Sequence, residues 1–306
     1  MRKLFRFLIV MAVLGAGVFF VITEPVLMQN APPMAAQGRA ADSASGKTLF
    51  HAGGCASCHA TTGQENRQKL GGGLAMHSPF GTFYAPNVSP HPRDGIGRWS
   101  EKDFANAMAR GISPAGEHYY PAFPFTSYQR MTGNDLADLF AFMKTLPEVE
   151  GRAPPHDLPF PFNIRRSLGG WKFLFLDGKD FAADPAKTPE WNRGAYLVEG
   201  PGHCAECHSP RNILGGIERD GRFSGGPDPE GKGWVPNITP HEKALASWKK
   251  ADVMEYLKTG FTPSYDSAGG AMASEIARCP RMSSGEVGSS TNHGLNGARF
   301  RIHSIA

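Results

Sequence analysis

Cys55-Ala56-Ser57-Cys58-His59 and Cys204-Ala205-Glu206-Cys207-His208 share one spacing: two thiols two residues apart, with a histidine directly behind the second. That spacing matches the edge of a single porphyrin. The thiols can add to the two vinyl groups of one haem, and the adjacent imidazole is then placed to bind the iron from one side. A C-x-x-C pair also occurs as a redox dithiol or as half of a zinc site. Two copies, each with its histidine, argue against both, since zinc draws four ligands from neighbouring segments and these pairs stand 149 residues apart. The motifs use four of the five cysteines, leaving Cys279 and no disulfide framework. The residues predict two covalently bound haems c, on Cys55 and Cys58 and on Cys204 and Cys207, with His59 and His208 as axial iron ligands.

More than the cysteines repeats, as a duplicated unit requires. Tyr84-Ala85-Pro86-Asn87-Val88-Ser89-Pro90-His91 returns as Trp234-Val235-Pro236-Asn237-Ile238-Thr239-Pro240-His241. Trp99 pairs with Trp248, and Gly111 with Pro114 returns as Gly260 with Pro263. Each half is read as one haem domain of roughly a hundred residues, a common domain size. Helices are expected at 45–54 and 193–198, each delivering a motif. Ser100 as N-cap with Asp103 at N3 opens a helix whose apolar face is Phe104, Ala107 and Met108. The matching face in the second half is Val253, Tyr256 and Leu257. A further helix, 133–146, starts behind Thr132 and Asp135, buries Leu136, Leu139, Phe140 and Met143, and stops at Pro147. Glycine and proline between the motifs predict loops rather than sheet, so the fold class is all-α.

Arg2, Lys3 and Arg6 precede an uncharged apolar run, Phe7 to Ile22, which as a helix would span about 24 Å. The run exceeds the usual core of a signal peptide, and no small-x-small cleavage site follows closely. Residues 1–23 are read as an uncleaved signal anchor, with the basic end in the cytoplasm and the haem domains across the inner membrane in the periplasm. A Pro/Ala-rich tether, 24–44, leads to domain 45–150. A linker, 151–190, follows, then a second domain, 191–276. The linker patch from Trp171 to Leu176 is expected to pack between the halves. From Ala277 the composition changes abruptly. The tail, 277–306, has no apolar stripe to form a closing helix, as a change of reading frame would produce, and it would leave the second haem less enclosed. A net charge of +4, part of it at the membrane end, gives no reason to expect a nucleic-acid partner.

The ligand opposite each histidine decides the chemistry. A methionine there completes the coordination and raises the potential, giving a carrier of single electrons. An open position would allow catalysis. Met108 and Met143 fall on apolar helix stripes and are read as core residues. Met131 lies in a loop 76 residues after Cys55, and Met272 lies in Gly269-Gly270-Ala271-Met272. The halves disagree in spacing here, since Gly111 to Met131 is 20 residues and Gly260 to Met272 is 12. Asn87, Asn237, Trp99 and Trp248 carry N–H donors suited to haem propionates, or else serve as a turn asparagine and a core tryptophan in each half. His77, His91, His118, His156, His203 and His241 are read as solvent-exposed loop residues.

These motifs, with Pro79-Phe80-Gly81-Thr82-Phe83-Tyr84-Ala85-Pro86-Asn87, Tyr120-Pro121-Ala122-Phe123-Pro124, Cys207-His208-Ser209-Pro210-Arg211-Asn212 and Gly269 to Met272, resemble the membrane-bound cytochrome c subunits of alcohol, gluconate and sugar dehydrogenases. The resemblance spans about 45–276. It implies two tandem class I cytochrome c domains with His/Met ligation, Met131 and Met272 being the distal ligands. It also implies an electron carrier rather than an enzyme, between a dehydrogenase as donor and quinone, another cytochrome or an oxidase of the respiratory chain as acceptor. Many such subunits have three haem domains and a C-terminal anchor, whereas this chain has two motifs and its apolar segment in front. The alternatives are a dihaem enzyme with one open haem, peroxidase-like or thiosulfate-oxidising, and a haem-based sensor or assembly factor, for which no signalling domain is visible.

Overall fold

Local signals place most of the helices. In the computed structural model, residues 1–28, 39–231 and 233–276 are described. The elements are α1 (Arg2–Ile22), α2 (Ser43–Ala52), α3 (Cys55–His59), β1 (Ala75–Ser78), β2 (Gly81–Tyr84), α4 (Glu101–Arg110), α5 (Phe125–Tyr128), α6 (Gly133–Met143), α7 (Ser167–Phe175), α8 (Pro189–Glu199), α9 (Ala205–His208), β3 (Gly226–Pro227), β4 (Trp234–Val235), α10 (Lys250–Thr259) and α11 (Gly270–Ile276). Ser100 and Asp103 form the expected capping box, and Thr132 accepts from Asp135 N–H at the start of α6. Two helices begin earlier than expected: Asp42 caps α2 and Thr188 caps α8, which has proline in its first turn.

The expectation of loops without sheet needs correction. Two small antiparallel hairpins are present, β1 with β2 and β3 with β4. In the first, Ser78 faces Gly81 across a two-residue turn. Gly81 has φ +118°, and a Cβ there would stand 2.5 Å from the Asp157 carbonyl oxygen. The sheet escapes the period-2 pattern because its strands are four residues or shorter and gain support from Asp157, which bridges Thr82.

The core lies in the first half, where α2 packs on α6 and α4 beside it. Leu49, Phe50, Phe104, Met108, Leu136, Leu139 and Phe140 are among its buried members. The helices cross so closely at Gly46 that a Cβ would lie 1.9 Å from the Asp138 carbonyl oxygen. Gly46→Ala is therefore expected to cost about 3 kcal/mol, because backbone faces backbone and neither can yield as a side chain would. Urea unfolding measures it, and an unchanged midpoint would show that the helices do not meet there. Asp138 also takes a bidentate pair from Arg39, both bonds at 2.8 Å, and a bond from Asp42 N–H at 2.7 Å, which fastens the end of the tether onto α6.

The second half is thinner. Six of the ten residues of α4 are buried, whereas α10, its counterpart, buries none. Among the described residues α10 has no α6 equivalent to pack on. Residues 277–306, including Cys279, lie outside the described residues, and with them the expected tail.

The segment 151–190 is more than a spacer. In α7, Trp171 Nε1–H donates to Leu214 O at 2.8 Å and the indole meets Phe125 edge-on, so the helix packs between the halves as expected. Phe173 and Leu174, in the same patch, remain exposed. Lys172 is buried and donates to the carbonyls of Arg110 and Gly111 at the end of α4. Burial pushes its amine down to about 7, while those carbonyls favour the charged form. Its third partner is His118 Nδ1, and His118 Nε2–H donates to Thr23 O at the end of α1. His118 is thus buried, and His156 packs between Phe83 and Tyr120, so neither is the solvent-exposed residue expected. Helix α1 takes in the basic residues and reaches about 31 Å. It is long and apolar enough to cross a membrane.

Candidate haem sites

Each motif is entered through a left-handed residue. Gly54 (φ +62°) precedes Cys55, and at the matching position His203 (φ +40°) precedes Cys204. Glycine adopts this freely, while for histidine it costs on the order of 1 kcal/mol. His203 is held there by Nε2–H donating to Gly53 O at 3.1 Å and by the edge of Tyr128.

The two motif histidines share one arrangement. His59 Nδ1–H donates to Pro86 O at 2.9 Å and His208 Nδ1–H to Pro236 O at 2.8 Å. A carbonyl only accepts, so the proton sits on Nδ1 and the Nε2 lone pair is left for a metal. Burial lowers the proton affinity of both rings, against the proline bond that raises it, and the neutral imidazole is the form that binds iron. Pro86 and Pro236 were missed from sequence. Their signal was the repeated Pro-Asn, where the asparagine drew the attention.

The asparagines do not match one another. Asn87 is buried and commits both amide N–H groups to Val149 O and Gly151 O, at 2.7 and 2.8 Å, so it has no donor for a propionate. That expectation is corrected: the closing segment behind α6 claims the amide. Asn237 only accepts, from Thr239, and its N–H groups have no partner among the described residues. Trp99 is half-buried and packs against the core cluster, as Cys55, Ala56, Val88 and Phe123 also do. Trp248 is half-buried too, against Tyr256. Neither indole N–H is bonded among the described residues.

Met131 is almost wholly enclosed, at 1% exposure, in a cavity wall with Leu49, Cys55, Met108, Tyr128 and Leu139. Met272 is half-buried on α11. The local geometry around the two differs, since Met131 stands directly before the N-cap of α6.

The chain matches the family model for cytochrome c over residues 43–147. A dihaem c-type cytochrome of Cereibacter sphaeroides is 47% identical over 263 residues, covering 85% of this chain and 86% of that protein. The chain belongs to the cytochrome c family. A nicotinate dehydrogenase subunit of Pseudomonas putida is 39% identical over 254 residues, 82% of this cytochrome and 21% of that protein. The fructose dehydrogenase cytochrome subunit of Gluconobacter japonicus is 38% identical over 254 residues, again 82% of this cytochrome, and 51% of that protein. This cytochrome thus spans about half or less of the length of those two relatives. It is an electron carrier and not itself the catalyst.

Glu206, inside the second motif, joins the halves of the cytochrome. Its carboxylate accepts from Thr126 Oγ1 at 2.6 Å, Ser127 Oγ at 2.9 Å and Arg211 Nη2 at 2.7 Å. Burial alone would raise its proton affinity, but Arg211 and the two hydroxyls hold it below the usual carboxylate range. The entry turns of both motifs meet here. Gly53 lies against Pro201, a Cβ on it standing 3.2 Å from the Pro201 carbonyl oxygen. The sequence signal for Glu206 was a carboxylate set between the two motif cysteines.

Proposed function

We propose that this cytochrome carries two haems c, on Cys55 and Cys58 and on Cys204 and Cys207, in two tandem class I cytochrome c domains. His59 and His208 are the proximal iron ligands, and Met272 is the distal ligand in the second half. The observation that carries this reading is the same bond at both histidines, from Nδ1–H to a proline carbonyl, which turns Nε2 outward as a ligand in each half. Covalent haem supplies a one-electron Fe(III)/Fe(II) couple. The chain supplies fixed, neutral imidazoles, tryptophan N–H groups for the propionates, and a clamped contact between the motifs that keeps the redox centres close.

The donor is a dehydrogenase, in keeping with the relatives named for nicotinate and fructose dehydrogenases. The acceptor is quinone, another cytochrome or an oxidase of the respiratory chain. α1 anchors the protein once in the inner membrane, and the haem domains face the periplasm, with Arg2, Lys3 and Arg6 on the cytoplasmic side. Arg166, paired with Glu24 just behind α1, holds the first half close to the bilayer. The purified full chain is expected to give two haems by pyridine haemochrome assay and to take up two electrons in a reductive titration. One haem and one electron would end the dihaem reading.

A further inference from the structure

We propose that the first haem has no methionine ligand: Phe123 stands at the distal position that Met272 occupies in the second half, and the iron is open to a small neutral diatomic ligand such as carbon monoxide. The inference rests on the haem assignment above and concerns the residues this chain offers to that haem.

The register between the halves carries it. The motif cysteines, the tryptophans and the ends of α4 and α10 are each 149 residues apart. Behind those helices the same loop is drawn twice. Gly111 and Gly260 are left-handed caps, at φ +61° and +83°. Ile112 bridges His118, and Phe261 bridges Ser267. Ser113 N–H donates to Glu117 O at 2.9 Å, and Thr262 N–H to Asp266 O at 2.8 Å. Gly116 and Tyr265 are both left-handed, at φ +75° and +64°. Tyr119 N–H then donates to Gly111 O at 2.7 Å, and Ala268 N–H to Gly260 O at 2.8 Å. The offset has not slipped by one residue. Four positions on stand Phe123 and Met272, each directly behind an alanine.

Met131 is out of this register by eight residues and has another role. It is the residue before the N-cap Thr132, and Leu136 is the fourth residue of α6. These are the two positions of a hydrophobic staple. Both side chains are buried in the same core cluster. Met108 is in register with Leu257 and lies on the buried face of α4. Phe123 is half-buried and packs on that cluster together with Cys55, Ala56 and Trp99, the residues around the first motif. Its ring is set edge-on to Tyr119 and Tyr128. A phenyl ring has no lone pair to give iron, so it lines the distal side with hydrocarbon and leaves the sixth position to a ligand from solution.

The test uses the full-length holoprotein, with pyridine haemochrome first establishing two haems per chain; a lower count fails the haem assignment rather than this inference. The red charge-transfer band of methionine-bound ferric haem is expected at one-haem intensity, and the dithionite-reduced protein is expected to bind one carbon monoxide per chain. Met131→Leu should leave both unchanged, whereas Met272→Leu should abolish the band and raise carbon monoxide binding to two. Phe123→Met should double the band and remove carbon monoxide binding. A two-haem band in the unaltered protein, a band halved by Met131→Leu, or a Phe123→Met band that stays at one-haem intensity would each overturn the proposal.

Discussion

Replacing Cys55 and Cys58 together with alanine is expected to lower the haem content from two per chain to one and to abolish the compact first half. The reason lies in where the motif sits. Cys55 and Ala56 pack directly on the larger apolar cluster among the described residues, and Cys55 shares a cavity wall with Leu49, Met108, Tyr128, Met131 and Leu139. With haem attached at that wall as proposed, the porphyrin would be part of the core, and binding free energy would become folding free energy, as it does for structural metals. Pyridine haemochrome reports the haem count, and limited proteolysis of residues 45–150 reports the fold. A chain that keeps two haems would refute the attachment site. One that loses a haem yet resists proteolysis would show that the helices close without it. The same pair of substitutions at Cys204 and Cys207 should remove one haem with a smaller structural loss, because no residue of α10 is fully buried.

Glu206→Ala is expected to destabilise the cytochrome by about 3 kcal/mol. Removing one partner from a buried ion pair typically costs 3–5 kcal/mol, and Arg211, about a quarter exposed, recovers part of its hydration. Thr126 and Ser127 lose their acceptor as well, which loosens α5 from the second motif. Denaturant unfolding measures the stability loss, and the rate of electron equilibration between the haems reports the loosened contact. If both stay at their original values, Glu206 does not hold the halves together. Glu206→Gln keeps an oxygen acceptor but lacks the charge, and belongs between the two.

Much of the site was legible in sequence for a local reason. The thiols and the histidine of each motif are contiguous, so their spacing is read without folding the chain. The capping box at Ser100 and Asp103 and the cap at Thr132 lie within one helical turn, and they appear where expected. The less legible parts are those that depend on remote segments. Gly46 carries no pattern, yet it decides how closely α2 and α6 approach. The hairpin β1 and β2 is too short for a period-2 signal and leans on Asp157, more than seventy residues beyond its start.

By itself, then, the sequence determined the spacing of the motif thiols and histidines, the repeat and the main helices, because thiol spacing, register and capping are properties of neighbouring residues. The tertiary structure decided which groups act around those motifs. It gave the Pro86 and Pro236 carbonyls to the histidines, took both Asn87 donors for the segment behind α6, and buried Lys172 and His118 under the end of α1. It also set Met131 into the core and Phe123 against the same apolar cluster on which Cys55 and Ala56 pack. These depend on which distant segments meet in space and on which of them reaches a buried polar group first, and no local spacing encodes that.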